Sequence, residues 1–114
     1  MKHTMRLNPH PFEMIKNGNK TIELRLYDEK RRAIRIGDAI EFIHVDNESQ
    51  RILCVVENTF VFDSFKELYK TLPLDKCGYM ETELGGAAYT DMEAYYTIEQ
   101  QRKYGVVGIE IKLL

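Results

Sequence analysis

Over the last stretch of the chain every second residue is apolar: Val107, Ile109, Ile111 and Leu113 alternate with Gly108, Glu110 and Lys112. A two-residue period places one set on a single face of an extended backbone, so 106–113 predicts a half-buried β-strand. The same period runs through 20–27, where Ile22, Leu24 and Leu26 would face a core while Glu23, Arg25 and Tyr27 share the opposite face. Two further strands are predicted at 39–45 and 51–62, joined by the polar run Asp46-Asn47-Glu48-Ser49-Gln50. The second is apolar on both faces through its first half, which predicts a central strand.

Helical spacing appears in three places. Pro9 and Pro11 suit the first turn of a helix over 10–17, Phe12 and Ile15 share its buried face, and Gly18 stops it. Ser64 with Glu67 three residues later is a capping box, followed by Phe65, Leu68, Tyr69 and Leu72 at i, i+3, i+4 and i+7, with Pro73 as the stop. Thr90 and Glu93 repeat the capping pattern and predict a third helix over 91–102, with Met92, Tyr95 and Tyr96 on its buried side. The charged run 28–32 reads as a loop leading to a turn at Gly37-Asp38, and 74–88 reads as irregular, a lid over a cleft or a plug at one end of a barrel. Strands dominate. The predicted class is α+β, mainly β: a small mixed or antiparallel β-barrel with two or three packed helices, formed as one domain over 1–114.

Composition narrows the setting. With 44% hydrophobic and 30% charged residues the chain reads as an ordinary globular domain. It has no apolar run near the ~20 residues of a membrane helix and no secretory h-region, so a cytoplasmic home without a membrane partner is expected. Cys54 and Cys77 lack metal or redox spacing, and His3, His10 and His44 are scattered, so neither metal nor cofactor is indicated. The net charge of −2 opposes strong non-specific nucleic-acid binding. Its distribution is uneven: residues 16–35 carry +4, and residues 75–99 carry −5. A local cationic patch able to hold a phosphate or a short oligonucleotide is therefore compatible with an acidic whole.

The chemistry concentrates at Gly18-Asn19-Lys20-Thr21-Ile22-Glu23-Leu24-Arg25, where a rigid strand would present an ammonium, a carboxylate and a guanidinium together. These residues match the Gly-x-Lys-x-x-Glu-x-Arg signature of the ASCH domain (activating signal cointegrator homology), within the PUA-like superfamily, and the chain resembles that family along essentially its whole length. The flanks Leu26-Tyr27-Asp28-Glu29-Lys30-Arg31-Arg32, Ile36-Gly37-Asp38, Ser64-Phe65-Lys66-Glu67 and Lys103 to Ile111 are similar to its small bacterial and archaeal branch. The resemblance implies a PUA-like barrel with a cleft lined by the signature residues, binding RNA, a nucleotide or a modified nucleoside. Carried over by position, Lys20, Glu23 and Arg25 are the cleft residues. Lys20 and Arg25 suit a phosphate or carbonyl, and Glu23 suits an exocyclic amine or ribose hydroxyl. Tyr27 and Tyr89 are candidates for base stacking.

One branch of the family, resembled only in part, hydrolyses the acetyl amide of N4-acetylcytidine with a lysine, a threonine and a glutamate. Its Lys-Thr-x-Thr-x-Arg stands where this chain has Lys20-Thr21-Ile22-Glu23-Leu24-Arg25, so the lysine matches and Glu23 replaces the threonine. Within residues 80–93, Glu83 and Glu93 are available to stand for that branch's glutamate. Three functions are thus in play: a binding module for RNA or a nucleotide-like ligand, a small amidohydrolase using Lys20 and Glu23, and an adaptor that docks a protein on the tyrosine-rich third helix. The oligomeric state is not legible.

Overall fold

The protein, described as a computed structural model over residues 1–114, is built on one five-stranded mixed sheet. Its strands are β1 (Lys2–Leu7), β2 (Ile22–Leu26), β3 (Ala39–His44), β4 (Arg51–Phe62) and β5 (Val106–Leu113), arranged in the order β1-β3-β4-β5-β2. β1 lies parallel to β3, and the other three pairings are antiparallel. The long β4 pairs with β3 through its first half and with β5 through its second. A register shift between Val56 and Asn58 sits at the changeover. An extra residue there bends the strand and curls the sheet toward a half-barrel, with β1 and β2 as its two free edges.

Two apolar clusters hold the sheet. Met5, Phe12, Ile40, Phe42, Val107 and Ile109 are among the residues of one. The other gathers Ile22, Leu24 and Leu26 with Phe65, Leu68 and Val106. Four helices pack around them: α1 (Pro9–Lys16), α2 (Glu29–Arg32), α3 (Phe65–Thr71) and α4 (Ile98–Tyr104). No helix is long and apolar enough to cross a membrane.

The α+β, mainly β expectation holds, with four differences of detail. β1 was not foreseen; its inward residues are His3, Met5 and Leu7, and a histidine in the first inward position hides the alternation. Residues 29–32 form a turn of helix, because Asp28 caps it by accepting from the Arg31 backbone N–H at 3.1 Å. β4 is central, yet Leu53 stays 43% exposed, so even its first half buries one face only. The helix expected over 91–102 is broken into a 3-10 turn at Tyr89–Ala94 and the later α4. Thr97 caps α4 by accepting from the Gln100 N–H, and the Gln100 side chain accepts from the Thr97 N–H, a complete capping box that outcompetes the one read at Thr90. The irregular stretch 74–88 contains two 3-10 turns, Leu74–Lys76 and Glu81–Gly86.

Candidate functional site

The chain enters β2 through a tight reversal. Gly18 takes φ +84°, a conformation that glycine adopts without steric cost, and the Lys20 N–H returns to the Met14 carbonyl at 2.9 Å. On the far side the Thr21 N–H donates to Lys76 O at 2.9 Å, which pins the start of β2 to the segment after α3. Lys20 is thereby held at the strand's mouth. Its aliphatic stem lies along Gly78, where an added Cβ would meet Lys20 Cδ at 3.4 Å.

Glu23, in the middle of β2, is only 3% exposed. Lys20 Nζ approaches its Oε1 to 2.7 Å, and Arg25 Nε donates to its Oε2 at 2.8 Å. Arg25 reaches further and donates through a terminal nitrogen to the Arg6 carbonyl of β1 at 2.9 Å. Burial alone would push the Glu23 carboxyl up; the two cations outweigh it and hold the group at about 2. Burial likewise opposes the charge on Arg25, but Glu23 and then Tyr96 outweigh it and raise it. The trio is therefore a fixed unit of net charge +1, with Glu23 ionised and each of its oxygens already accepting from a cation.

The unit forms one wall of a cavity of about 400 Å³. This lies within the range of roughly 300–1,000 Å³ usual for small-molecule sites. Tyr69, Tyr79, Asp91 and Tyr96 line the same cavity, Tyr96 interacting with Arg25. Tyr79 donates to Asp91 Oδ2 at 2.7 Å, and its hydroxyl lies 2.7 Å from that of Tyr69. With its only proton committed to Asp91, Tyr79 must accept from Tyr69, giving an ordered chain Tyr69 to Tyr79 to Asp91. Burial and both hydrogen bonds raise the Tyr79 phenol strongly. Tyr96 stacks on Phe65 at 5.8 Å between ring centres, which fixes its ring at the cavity edge. The cavity thus has a donor-rich cationic side and an aromatic side ending in a carboxylate.

Of the residues singled out by sequence, Lys20, Glu23 and Arg25 are brought together, and all three line the cavity. Tyr27 and Tyr89 are not. Tyr27 follows the last residue of β2, packs on the core, and carries the Arg32 guanidinium 4.3 Å above its ring. Tyr89 stands exposed at the start of a 3-10 turn and is not among the lining residues, although Asp91 and Met92 of the same turn are. Tyr69, Tyr79, Asp91 and Tyr96 were not read as site residues: two looked like the buried stripes of helices, and Tyr79 sits in a stretch without periodicity. Asp91, the first residue of the helix expected over 91–102, accepts from the Ala88 N–H at 3.3 Å, and the same oxygen serves Tyr79. The tyrosine-rich helix imagined as a docking face does not form, since Tyr95 and Tyr96 precede α4 and Tyr96 turns inward.

The ASCH domain family model matches residues 5–114. The chain belongs to the ASCH-domain family. This ASCH chain is 37% identical to the hypothetical protein PH0355, whose crystal structure superposes with a TM-score of 0.80 over 100% of both chains. It is also 37% identical to protein PF0455 from Pyrococcus furiosus, known from a solution structure, with a TM-score of 0.72 over 100% of this chain and 98% of that one. The ASCH protein of Zymomonas mobilis, seen in a crystal of its S128A mutant, is 13% identical, with a TM-score of 0.68 over 97% of this chain and 67% of that one, and shares the fold alone. No curated protein matches the chain.

Proposed function

We propose that this ASCH domain binds RNA, or a nucleotide or modified nucleoside, by enclosing one base-bearing unit in the cavity between β2 and the Tyr79–Asp91 wall. The observation that carries the reading is the buried Glu23 carboxylate clamped between Lys20 and Arg25 in the cavity wall. A carboxylate with both oxygens engaged is a positioning group. It holds the ammonium and guanidinium in place so that their remaining N–H donors meet an acceptor without reorganising. Carbonyl and phosphate oxygens are such acceptors. Opposite them, Asp91 Oδ1 has no partner within the protein and suits an exocyclic amine or a ribose hydroxyl. Tyr96 supplies a fixed aromatic surface.

Hydrolysis of a modified nucleoside, using Lys20 with Glu23 as acid and base, has less support. A carboxyl held at about 2 is a weak base near neutrality, and each of its oxygens already accepts from a cation. The test is a thermal-shift and calorimetric screen of nucleosides, nucleotides and short RNAs. A bound ligand raises the melting temperature by mass action, and Lys20→Ala and Arg25→Ala abolish the shift. A ligand that binds both variants as tightly as the wild type refutes the placement. Turnover of N4-acetylcytidine that is lost in Lys20→Ala would replace binding with catalysis.

A further inference from the structure

β1 is an edge strand, and what covers its free edge says which ligand the cavity takes. The Ala39 and Val45 N–H groups of the β3 side donate to Met1 O and Leu7 O. In a parallel pair each residue turns its N–H and C=O the same way, so the odd positions of β1 face β3, and Thr4 and Arg6 face outward. No strand lies beside that edge. Two cations come to it instead: Arg25 donates to Arg6 O at 2.9 Å, and Lys30 Nζ donates to Thr4 O at 2.7 Å. The two carbonyls are two residues apart on one edge, roughly 7 Å. A line of positive charge therefore runs out of the cavity from Arg25 to Lys30.

Lys30 has no acidic partner. Both oxygens of Asp28, two residues before it, are committed to Arg31, one to its backbone N–H at 3.1 Å and one to its guanidinium at 2.9 Å, and the adjacent Glu29 makes no ion pair with it. Lys30 is exposed, with one donor used and two free. Desolvation, and then the repulsion of Arg31 and Arg25, outweigh the attraction of Asp28 and make its ammonium less favourable than usual. An arriving anion would relieve that repulsion, and the outward N–H groups of Thr4 and Arg6 are further donors on the same edge. Lys30 thus joins Lys20 and Arg25 among the cations of residues 16–35 that face a ligand, while Arg31 is paired with Asp28 and Arg32 covers Tyr27.

We infer that Lys30, with Arg25 and the free edge of β1, forms a phosphate subsite at the rim of the cavity, so that the ligand is a phosphorylated nucleoside unit, free or within an RNA strand, rather than a bare nucleoside. The inference rests on the nucleotide reading above and fails separately from it. The experiment measures affinities of the wild type, Lys30→Ala and Lys30→Gln for the four ribonucleosides and their 5′- and 3′-monophosphates, at two salt concentrations. The phosphate is expected to tighten binding about three- to tenfold in the wild type, the gain of one rim ion pair. Both Lys30 variants are expected to erase that gain, leave nucleoside affinity unchanged and flatten the salt dependence. A nucleoside that binds as tightly as its monophosphates, or Lys30 variants that weaken both alike, overturns the subsite and leaves the cavity reading standing. Absence of binding by every compound overturns both.

Discussion

Replacing Glu23 by Gln removes one charge and almost no volume from the centre of β2. The folded carboxyl titrates at about 2 against an ordinary 4.5, so its ionised form contributes roughly 3 kcal/mol to stability at neutral pH. The sign follows from the lowered value. The contribution is complete above the unfolded pKa, begins to fade near pH 5, and is gone once the pH has fallen through the folded value; about 2 kcal/mol of it has been lost by pH 3. Glu23→Gln also leaves Lys20 and Arg25 facing each other without their counter-ion. Breaking a fully buried pair costs about 3–5 kcal/mol; because both cations keep some contact with water, about 2–4 kcal/mol is expected at pH 7. Urea unfolding of both proteins from pH 7 to pH 3 checks this. The gap between them should be widest at pH 7 and close steadily below pH 5. Asp38, held at about 2 mainly by hydrogen bonds from His3 and the Arg35 backbone, also drives acid unfolding, but it does so in both proteins and cancels in the difference. A gap that stays constant with pH would mean that Glu23 is not held ionised by its neighbours, and the account of the site would fail.

Two further outcomes are expected. Gly105 sits at φ 73°, ψ −173°, a region essentially reserved for glycine, with Phe62 O 3.1 Å from where a Cβ would stand; Gly105→Ala should destabilise by about 1–3 kcal/mol in thermal unfolding, and a neutral effect would contradict the turn into β5. Tyr69, Tyr79 and Tyr96 have raised phenols, chiefly through burial, so absorbance titration of the native protein should show late-ionising phenol signal; Tyr79→Phe should remove part of it, and a variant that leaves the late signal unchanged would refute the hydroxyl chain.

What the sequence made legible follows the strength of each local signal. β5 alternates cleanly and was readable, as was α3, where the Ser64 cap and the Phe65–Leu68 stripe agree with the final packing. The charged trio was readable because a two-residue period on β2 forces Glu23 and Arg25 onto one face. That period could not reveal that this face is buried as well, since burial depends on a facing wall drawn from residues 69–96. Tyr79 and Asp91 meet through two 3-10 turns that follow no simple period, and nothing local marks them as partners. Tyr27 illustrates the opposite error. Its place in the alternation suggested the cavity, but β2 ends one residue earlier, and Arg32 from the newly formed α2 covers the ring.

The trio itself is an odd choice for stability, and that oddness separates a structural role from a functional one. A strand whose odd and even positions are both buried is most simply filled with apolar side chains. A buried ion triad recovers its desolvation cost only with near-ideal geometry, and replacing one by apolar residues of similar size is often neutral or stabilising by about 1–4 kcal/mol. The cost of Glu23→Gln measures a broken arrangement, not the net worth of the intact one. Lys20→Met, Glu23→Leu and Arg25→Met combined therefore should unfold no more easily than the wild type, while losing every ligand that the wild type binds. The Arg6 carbonyl and the Tyr96 hydroxyl both lose Arg25 as a partner, and the carbonyl lies on an open edge where water reaches it. A triple variant less stable than Glu23→Gln would show that the charges serve the fold. A stable triple variant that no longer binds would show that β2 keeps its ammonium, carboxylate and guanidinium for the ligand alone.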